Sequence, residues 1–235
     1  LAYWWLNPNP PKTVTLATGP AQSAYEEFGK RYQKALAADG IDVVLLPSEG
    51  SSHNLQLLRD GQADVAFVQG GTAELQPDDP DNLVSLGSLF VEPLWLFYRT
   101  DAAERMHNAP RLDGLRQLRG WRVNVGSEGS GVPTLIERLL QANKVEPSAV
   151  KLSRLEQTPA TVEFLAGRLD ALVFASAPES LMVQMLLQTP GVQLLDFAQH
   201  EAYARRFPFL TPVTLPRGVV AVSYTHLTLP TICSV

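Results

Sequence analysis

The sequence predicts an α/β fold in two lobes, each an open and mainly parallel sheet flanked by helices, with a ligand cleft between the lobes. Three observations indicate this fold. Short apolar runs alternate with longer segments whose apolar residues recur at helical spacing. The runs are almost continuously apolar, which is typical of parallel strands covered on both faces. The same succession of strand, glycine turn and helix begins again after residue 120.

The first lobe begins with the run TVTLAT, which is followed by Gly19 and Pro20 and then by a helical pattern that includes Tyr25. Strands are predicted at residues 13–18, 42–46, 64–69, 83–89 and 94–98. Helices are predicted at residues 21–38 and 54–59. Ser52 is a candidate N-cap for the second of these helices. Residues 75–82 are rich in Pro and Asp and are predicted to be a loop.

The second lobe repeats this order after a polar segment, residues 100–112, which is interpreted as an excursion between the lobes. Strands are predicted at residues 121–125, 150–155 and 170–175. Helices are predicted at residues 132–143 and 158–165. A turn of glycine and serine, residues 126–131, joins the first strand of this lobe to its first helix.

The two lobes also match in detail. Residues 54–67 align with residues 160–173 at a constant offset of 106, so that Gly61 lines up with Gly167 and Asp64 with Asp170. A helix that ends near a glycine and is soon followed by a strand is common, so this match alone is weak. It gains weight because the preceding strand, glycine turn and helix match as well.

Composition excludes several classes of protein. The chain has 235 residues, of which 45% are hydrophobic and 18% charged, so it can bury a core and is not generally disordered. A net charge of -5 does not provide the cationic surface that a nucleic-acid binder needs. The single cysteine, Cys233, builds neither a disulfide framework nor a cysteine-rich zinc site. We therefore predict no cofactor, no metal and no nucleic-acid partner, and we expect a monomer.

Both ends of the chain look unusual. Residues 1–10 are apolar and aromatic and then rich in proline, and they are too short to span a bilayer, which takes roughly 20 residues. We interpret them as the remnant of a membrane anchor or signal with a linker, or else as a loose apolar strand. Residues 222–235 look like non-native read-through. Between these ends we predict lobe I at 11–98, lobe II at 99–200 and a connection returning towards lobe I at 201–221.

Ligands of open parallel sheets bind at the carboxyl ends of the strands. The segments predicted there are rich in Gly, Ser, Thr and amide side chains, whose N–H and hydroxyl groups suit a carboxylate or another anion. These segments are Thr18 with Gly19, residues 48–54, residues 69–72, residues 126–131 and residues 175–177. Alone, residues 126–131 would pass for an ordinary strand-to-helix turn, since they match neither a Walker loop nor a full dinucleotide motif. Their predicted place opposite Ser51 and Ser52 favours the functional interpretation.

No catalytic arrangement stands out, and we predict that the protein is not an enzyme. The histidines lack metal-ligand spacing, and no nucleophile elbow occurs. His53 could pair with Ser51 or Ser52, although a polar residue on the rim of the site is the simpler interpretation. Four carboxylates could approach the cleft, but no spacing selects an acid–base pair and each is expected to be a solvated surface charge: Glu49, Glu92, Glu128 and Glu179.

In their order and spacing, several motifs resemble the TAXI-type extracytoplasmic solute receptors of TRAP transporters over about residues 13–220. The motifs are Leu16-Ala17-Thr18-Gly19 with Tyr25 and Gly29, Gly50-Ser51-Ser52-His53-Asn54-Leu55, Ala63-Asp64-Val65-Ala66 with Gln69, Glu92-Pro93-Leu94-Trp95, and Gly129-Ser130-Gly131. The resemblance implies a two-lobed, type II periplasmic-binding-protein fold. The sequence departs from the family at Pro20–Ala24, where the family is usually glycine-rich, and beyond Val220.

The resemblance also implies a function. It would make the chain a periplasmic or extracytoplasmic receptor that captures a small carboxylate or amino acid by lobe closure and delivers it to a TRAP-type permease. The ligand-binding residues carried over by position are Gly19, Tyr25, Ser51, Ser52, Asn54, Gln69, Trp95, Ser127, Ser130 and Ser176. A membrane-tethered ligand-sensing domain is the alternative, and an enzyme on the same fold is a second one.

Overall fold

The structure is a computed structural model that describes residues 12–21, 23–72, 83–178, 180–197, 200–215 and 227–234. It divides into two compact units, one ending at Phe67 and the other beginning at Val68. Within these described ranges no helix is both long and apolar enough to cross a membrane. The predicted anchor remnant, residues 1–10, and the predicted loop, residues 75–82, lie outside the described residues.

The first unit is built on a parallel sheet of three strands in the order β2-β1-β3. The strands are β1 (Thr13–Ala17), β2 (Asp42–Leu46) and β3 (Val65–Ala66), and the helices are α1 (Ala24–Ala37) and α2 (Ser51–Arg59). Ser23 caps α1, since its Oγ accepts a hydrogen bond from Glu26 N at 3.3 Å. Gly29 lets α1 approach the sheet, because a Cβ there would lie 2.7 Å from Thr18 Cγ2.

Helix α2 begins earlier than the sequence predicted. Its first residue is Ser51 and its N-cap is Gly50, which has a φ of 128° and provides no side-chain cap. Ser52 is therefore inside the first turn, and its prediction as the N-cap is wrong. The backbone conformation of Gly50, which side chains rarely adopt, turns the chain sharply from the loop into the helix.

The second unit contains a mixed sheet in the order β6-β5-β7-β4-β10-β9, with β8 also paired to β4. Its strands are β4 (Phe90–Arg99), β5 (Arg122–Asn124), β6 (Lys151–Ser153), β7 (Ala171–Ala175), β8 (Val192–Leu194), β9 (Leu210–Leu215) and β10 (Leu227–Ser234). Its helices are α3 (Thr100–His107), α4 (Val132–Ala142), α5 (Gln157–Leu165), α6 (Leu181–Gln188) and α7 (His200–Arg206), with 3-10 turns at Leu115–Leu118 and Pro147–Ala149. Strands β5, β6 and β7 are mutually parallel, whereas β4 is antiparallel to its partners.

Strand β4 lies at the centre of this unit. Leu94, Trp95, Leu96 and Phe97 are fully buried, and the rings of Trp95 and Phe97 stack at 6.0 Å. The strand therefore belongs with the second unit rather than with the first three strands. This division differs from the lobe boundary at 98/99 that the sequence predicted, which remains a prediction about the functional lobes.

One further prediction beside β4 is corrected. Residues 83–89 are not a strand, and residues 84–89 are exposed, so their apolar side chains do not mark a buried run. Residues 100–107, the first part of the segment interpreted as an excursion between the lobes, form helix α3. The helix buries Ala102 and Ala103, and it ends at Asn108, whose left-handed backbone (φ 54°) stops it.

The internal repeat is confirmed. Strand β1 lies between β2 and β3 in the first unit, and β5 lies between β6 and β7 in the second unit. Thr15 N donates to Asp64 Oδ2 at 2.8 Å, while Asp64 N donates to Thr15 O at 2.9 Å. At the matching place, Arg122 N donates to Asp170 Oδ2 at 2.9 Å and Asp170 N donates to Arg122 O at 2.8 Å.

The helices that precede these aspartates end alike. The chain leaves them through glycines with positive φ, 67° at Gly61 and 77° at Gly167, which favour glycine over any other residue. The next N–H groups, of Gln62 and Arg168, each donate over 2.9 Å to a carbonyl of the last helical turn. The first unit and the β5–β7 part of the second unit thus share strand order, helix ending and aspartate contact.

Asp170 differs from Asp64 in being buried. Its carboxylate accepts from Arg122 Nη2 at 2.6 Å and from Arg105 Nη2 at 2.8 Å. Burial alone would raise the pKa of Asp170, but the hydrogen bonds and charge of Arg122, together with the charge of Arg105, keep this pKa below its ordinary value.

Strand β10 covers much of the segment that we predicted to be a non-native tail. Residues 227–234 pair antiparallel with β4 on one side and with β9 on the other. The foreign origin of residues 222–235 remains a prediction.

Candidate functional site

In the first unit, Asn54 connects the loops at the carboxyl ends of the strands through hydrogen bonds. Its side chain is fully buried on α2. Asn54 Nδ2 donates to the carbonyl oxygens of Thr18 and of Phe67, the latter at 2.7 Å, and its Oδ1 accepts from Ser48 Oγ at 2.6 Å. The amide that was predicted to contact ligand is thus engaged by the chain itself, and it positions the loops that follow β1 and β3.

Tyr25 and Ser51 meet in the same place. The Tyr25 hydroxyl lies 3.3 Å from Ser51 Oγ, and the Tyr25 ring stacks on Phe67 with the centroids 5.5 Å apart. Gly19 lies beside this pair, since a Cβ at Gly19 would be 3.2 Å from Tyr25 Cδ2. Of the residues predicted from the sequence, the structure therefore brings Gly19, Tyr25 and Ser51 together in the first unit.

The imidazole of His53 has a local role. Its Nδ1 accepts a hydrogen bond from Glu49 N at 3.2 Å, which closes the loop in front of α2. Ser52, the preceding residue, is half-buried in the first turn of α2. The geometry supports a polar rim around the Tyr25–Ser51 pair.

In the second unit, residues 126–131 form the loop that leads from β5 into α4, and we call it the 126–131 loop. Gly126 has a φ of 85°, which other residues rarely adopt. Ser130 closes a tight turn, because its N and its Oγ both donate to Ser127 O, at 3.1 and 2.8 Å. The loop presents short hydroxyl side chains and backbone N–H groups at the start of a helix of 11 residues, where an anion is favoured.

A second segment of this unit packs against the loop. An added Cβ at Gly131 would come within 2.5 Å of Gln69 Oε1 and would also clash with Thr72 Oγ1. Gln69 is buried, and its Nε2 lies 3.4 Å from Glu92 Oε2, another buried polar group. Gln69 and Thr72 therefore lie next to the 126–131 loop, with Glu92 behind Gln69, although Thr72 was not among the candidate residues.

Trp95 and Ser176 also lie in the second unit, but Trp95 cannot line a ligand site in this conformation. It has no exposed surface, and its Nε1 donates to Ser176 O at 2.8 Å. Ser176 N in turn donates to Pro93 O at 3.3 Å. Trp95 is thus a core residue that fixes the chain at Ser176, which is itself half-buried at the end of β7.

Sequence reasoning missed Arg154. This residue directly follows β6, and its guanidinium bridges two carboxylates, Glu128 Oε1 at 2.9 Å and Glu137 Oε1 at 3.0 Å. Hydrogen bonds to Glu137 and then to Glu128 raise the pKa of Arg154 above its ordinary value. No sequence motif marks it, because it is brought to the 126–131 loop only by the parallel pairing of β5 with β6.

The chemistry of both units is that of hydrogen-bond donors and small hydroxyls. Within the described ranges, no group of three or more His, Cys, Asp and Glu side chains is arranged to hold a metal ion. Each unit thus places a tyrosine, serine, glutamine or backbone N–H group at the carboxyl ends of its parallel strands. The strand order and the flanking helices define an α/β protein with parallel strands in each unit.

The chain belongs to the NMT1-like family, whose model matches residues 16–234. Among curated proteins, none matches the sequence. Solved structures resemble it in fold. The alkanesulfonate-binding protein SsuA from Xanthomonas axonopodis pv. citri, bound to MOPS, has a TM-score of 0.53 and 15% identity, over 85% of this chain and 69% of that one.

Two more structures show the same fold. A protein from Bordetella bronchiseptica RB50 has a TM-score of 0.57 and 17% identity, over 95% of this chain and 64% of that one. The BenM effector-binding domain with its effector benzoate has a TM-score of 0.53 and 13% identity, over 97% of this chain and 84% of that one. The predicted α/β fold is confirmed, and the chain spans about two thirds of the SsuA and Bordetella structures.

Proposed function

We propose that this protein is a solute-binding receptor that captures a small organic anion, a carboxylate or an amino acid, and hands it to a membrane permease of the TRAP type. The observation that carries the proposal is the repeated architecture. The order β2-β1-β3 of the first unit recurs as β6-β5-β7 in the second, and in both places the strands end in loops of glycine, hydroxyl and amide residues. Two such units that close around one ligand would stabilise the closed state through contacts from both.

The anionic class follows from the groups available. The 126–131 loop precedes the N-terminus of α4, and the first unit contributes the hydroxyl groups of Tyr25 and Ser51, which are buried in this conformation. Donors of this kind suit a carboxylate or sulfonate better than a cation. The ligands named for two structures of similar fold, MOPS and benzoate, are organic anions as well. No covalent step is part of this proposal.

A ligand-sensing domain is the second candidate. It is favoured by the likeness to the BenM effector-binding domain, which covers 97% of this chain. Both candidates require binding of a small anion, and they differ in whether the bound anion is then transported or triggers a signal. The natural sequence and genes that flank this chain distinguish them: a neighbouring permease favours transport from an extracytoplasmic location, whereas a fused signalling domain favours sensing.

The binding proposal is tested by isothermal titration calorimetry of the protein against benzoate, MOPS and a panel of carboxylates and amino acids. We expect one ligand class to bind, and we expect Ser51→Ala and Ser130→Ala each to weaken binding about tenfold. Ser51→Ala removes a proposed hydroxyl donor to the charged group, and Ser130→Ala removes the hydroxyl that holds the tight turn of the 126–131 loop through Ser127 O. Ser148→Ala is the matched control, since Ser148 is exposed on the 3-10 turn Pro147–Ala149.

The outcomes separate the candidates clearly. Equal affinities for all variants would place the ligand away from the predicted loops. A protein that binds no member of the panel but turns over one of them would refute the receptor proposal in favour of an enzyme.

A further inference from the structure

We propose that Arg154 makes the 126–131 loop more receptive to an anion, because it holds Glu128 in place and its single positive charge offsets one of the two carboxylates, Glu128 and Glu137, that it binds. This inference rests on the proposed function and adds a positioning residue to it. The residue is not itself assigned a contact with ligand.

The loop needs support from outside. Three of its residues are glycines, so its backbone has much conformational freedom to lose on ordering. Within the loop, the Ser130–Ser127 turn restrains one half. The ion pair between Glu128 and Arg154 connects it to the end of β6, a neighbouring strand.

Arg154 is held on its other side by α4. Its Nη1 donates to Glu128 and its Nη2 to Glu137, which lies in the second turn of that helix. One planar guanidinium can bind two carboxylates at once, whereas a lysine ammonium acts as a single point charge. The loop, the strand end and the helix are thereby connected through one side chain.

The ion pair between Arg154 and Glu128 also changes the charge that an anion meets at the 126–131 loop. Glu128 is the only ionisable residue in the 126–131 loop, and its side chain is 75% exposed. Without a partner, this carboxylate would repel an anion that approaches the N–H groups and hydroxyls of the same loop. Two like charges about 4 Å apart in water repel by about 1 kcal/mol, which corresponds to roughly a fivefold loss of affinity.

The ion pair contributes little to the stability of the unit, which makes the inference testable. Arg154 is 45% exposed, and exposed pairs of this kind are typically worth less than about 1 kcal/mol. The variant Arg154→Gln is therefore expected to fold. The matched control is Arg168→Gln, which removes the same charge from another exposed ion pair, with Glu163, in the same unit.

The first measurement needs no ligand. Hydrogen–deuterium exchange of the full chain reports on the amides of residues 127–131, and we expect Arg154→Gln to exchange them several-fold faster than wild type. Arg168→Gln should leave that exchange unchanged. Equal exchange rates in wild type and Arg154→Gln would overturn the positioning role, whether or not any anion binds.

The second measurement is affinity for benzoate and for MOPS in low salt. We expect Arg154→Gln to bind about fivefold more weakly, a loss that shrinks at high salt as charges are screened. Glu128→Gln added to Arg154→Gln should recover part of the affinity, because it removes the carboxylate of the loop but leaves the charge of Glu137, which Arg154 no longer offsets. Loop exchange should stay fast in this double variant. A double variant as weak as Arg154→Gln alone would overturn the charge account.

The two measurements also separate this inference from the proposed function. Wild-type protein that binds neither probe, together with faster loop exchange in Arg154→Gln, would support the positioning role while counting against the receptor proposal. Wild-type binding together with unchanged exchange and affinity in Arg154→Gln would overturn only the role of Arg154.

Discussion

Replacement of Asn54 by alanine is expected to destabilise the first unit by about 3–5 kcal/mol. The side chain is fully buried and makes hydrogen bonds to Thr18 O, Phe67 O and Ser48 Oγ. Each such bond is worth about 1 kcal/mol net, which gives about 3 kcal/mol for the set. The upper value includes the cost of taking a donor away from buried carbonyl groups.

The measurement is a urea titration read by hydrogen exchange, because this method reports on each unit separately. Peptides from residues 13–67 should lose protection at a lower urea concentration in Asn54→Ala than in wild type. Peptides from residues 122–175 serve as an internal reference. Gln56→Ala is the matched control on the same helix, since Gln56 is exposed and bonds only to Asp60 at 2.9 Å; a change below about 0.5 kcal/mol is expected there.

A second variant tests the direction of the hydrogen bonds. Asn54→Asp keeps an acceptor for Ser48 Oγ but turns a carboxylate oxygen towards two carbonyl oxygens. At pH 7 it should be at least as destabilising as Asn54→Ala. The reasoning is refuted if Asn54→Ala lies within about 1 kcal/mol of wild type, or if it cannot be distinguished from Gln56→Ala.

Three further predictions concern the second unit. Gly131→Ala should displace Gln69 and weaken anion binding at least tenfold in calorimetry, because the added Cβ would lie within 2.5 Å of Gln69 Oε1; unchanged affinity would contradict the packing. Asp170→Asn should cost about 2–3 kcal/mol of unfolding free energy at pH 7, since it removes the charge that two arginines bind. The pKa of Asp170 is lowered in the folded protein, so its contribution is present above the unfolded value of 3.8 and is lost as pH falls through the lower folded value. Urea titrations should therefore show a smaller difference from wild type at pH 3 than at pH 7, and an equal difference would count against the ion pairs. Trp95→Phe should lower the unfolding free energy by about 1–2 kcal/mol, because it leaves the half-buried Ser176 without the indole donor to its carbonyl oxygen; a neutral effect would show that this bond is replaced.

The sequence was informative where local chemistry decides the structure. The glycines at 61 and 167 and the aspartates at 64 and 170 predicted a repeated unit, and the structure shows matching backbone contacts at each. The glycines can be interpreted from the sequence because a positive φ favours glycine, whereas the contacts of the aspartates join residues far apart in the chain and are visible only in the structure.

Tertiary contacts decided the rest. Trp95 follows a proline in a motif that the family resemblance linked to the ligand, but its burial between strands depends on partners far away in the chain. Asn54 was correctly placed near the strand ends, yet its three hydrogen bonds could not be assigned from the sequence. Arg154 carries no motif, and only the pairing of β5 with β6 brings it to Glu128. Residues 83–89 were predicted as a strand from their apolar content alone, although they have no pairing partner in the described structure.

The paired backbone contacts of Asp64 and Asp170 have a consequence for how the chain finds its fold. A parallel strand that slips by one residue turns its apolar side chains to the wrong face. In each unit the aspartate is fixed to one N–H group of the neighbouring first strand, that of Thr15 or of Arg122, so a slipped strand would lose this bond as well. In the second unit the slip would also leave the buried carboxylate of Asp170 without its hydrogen-bond partners, at a cost of several kcal/mol. The repeated aspartate therefore disfavours a shifted strand register as the sheet assembles. The shifted register is disfavoured more strongly in the second unit than in the first.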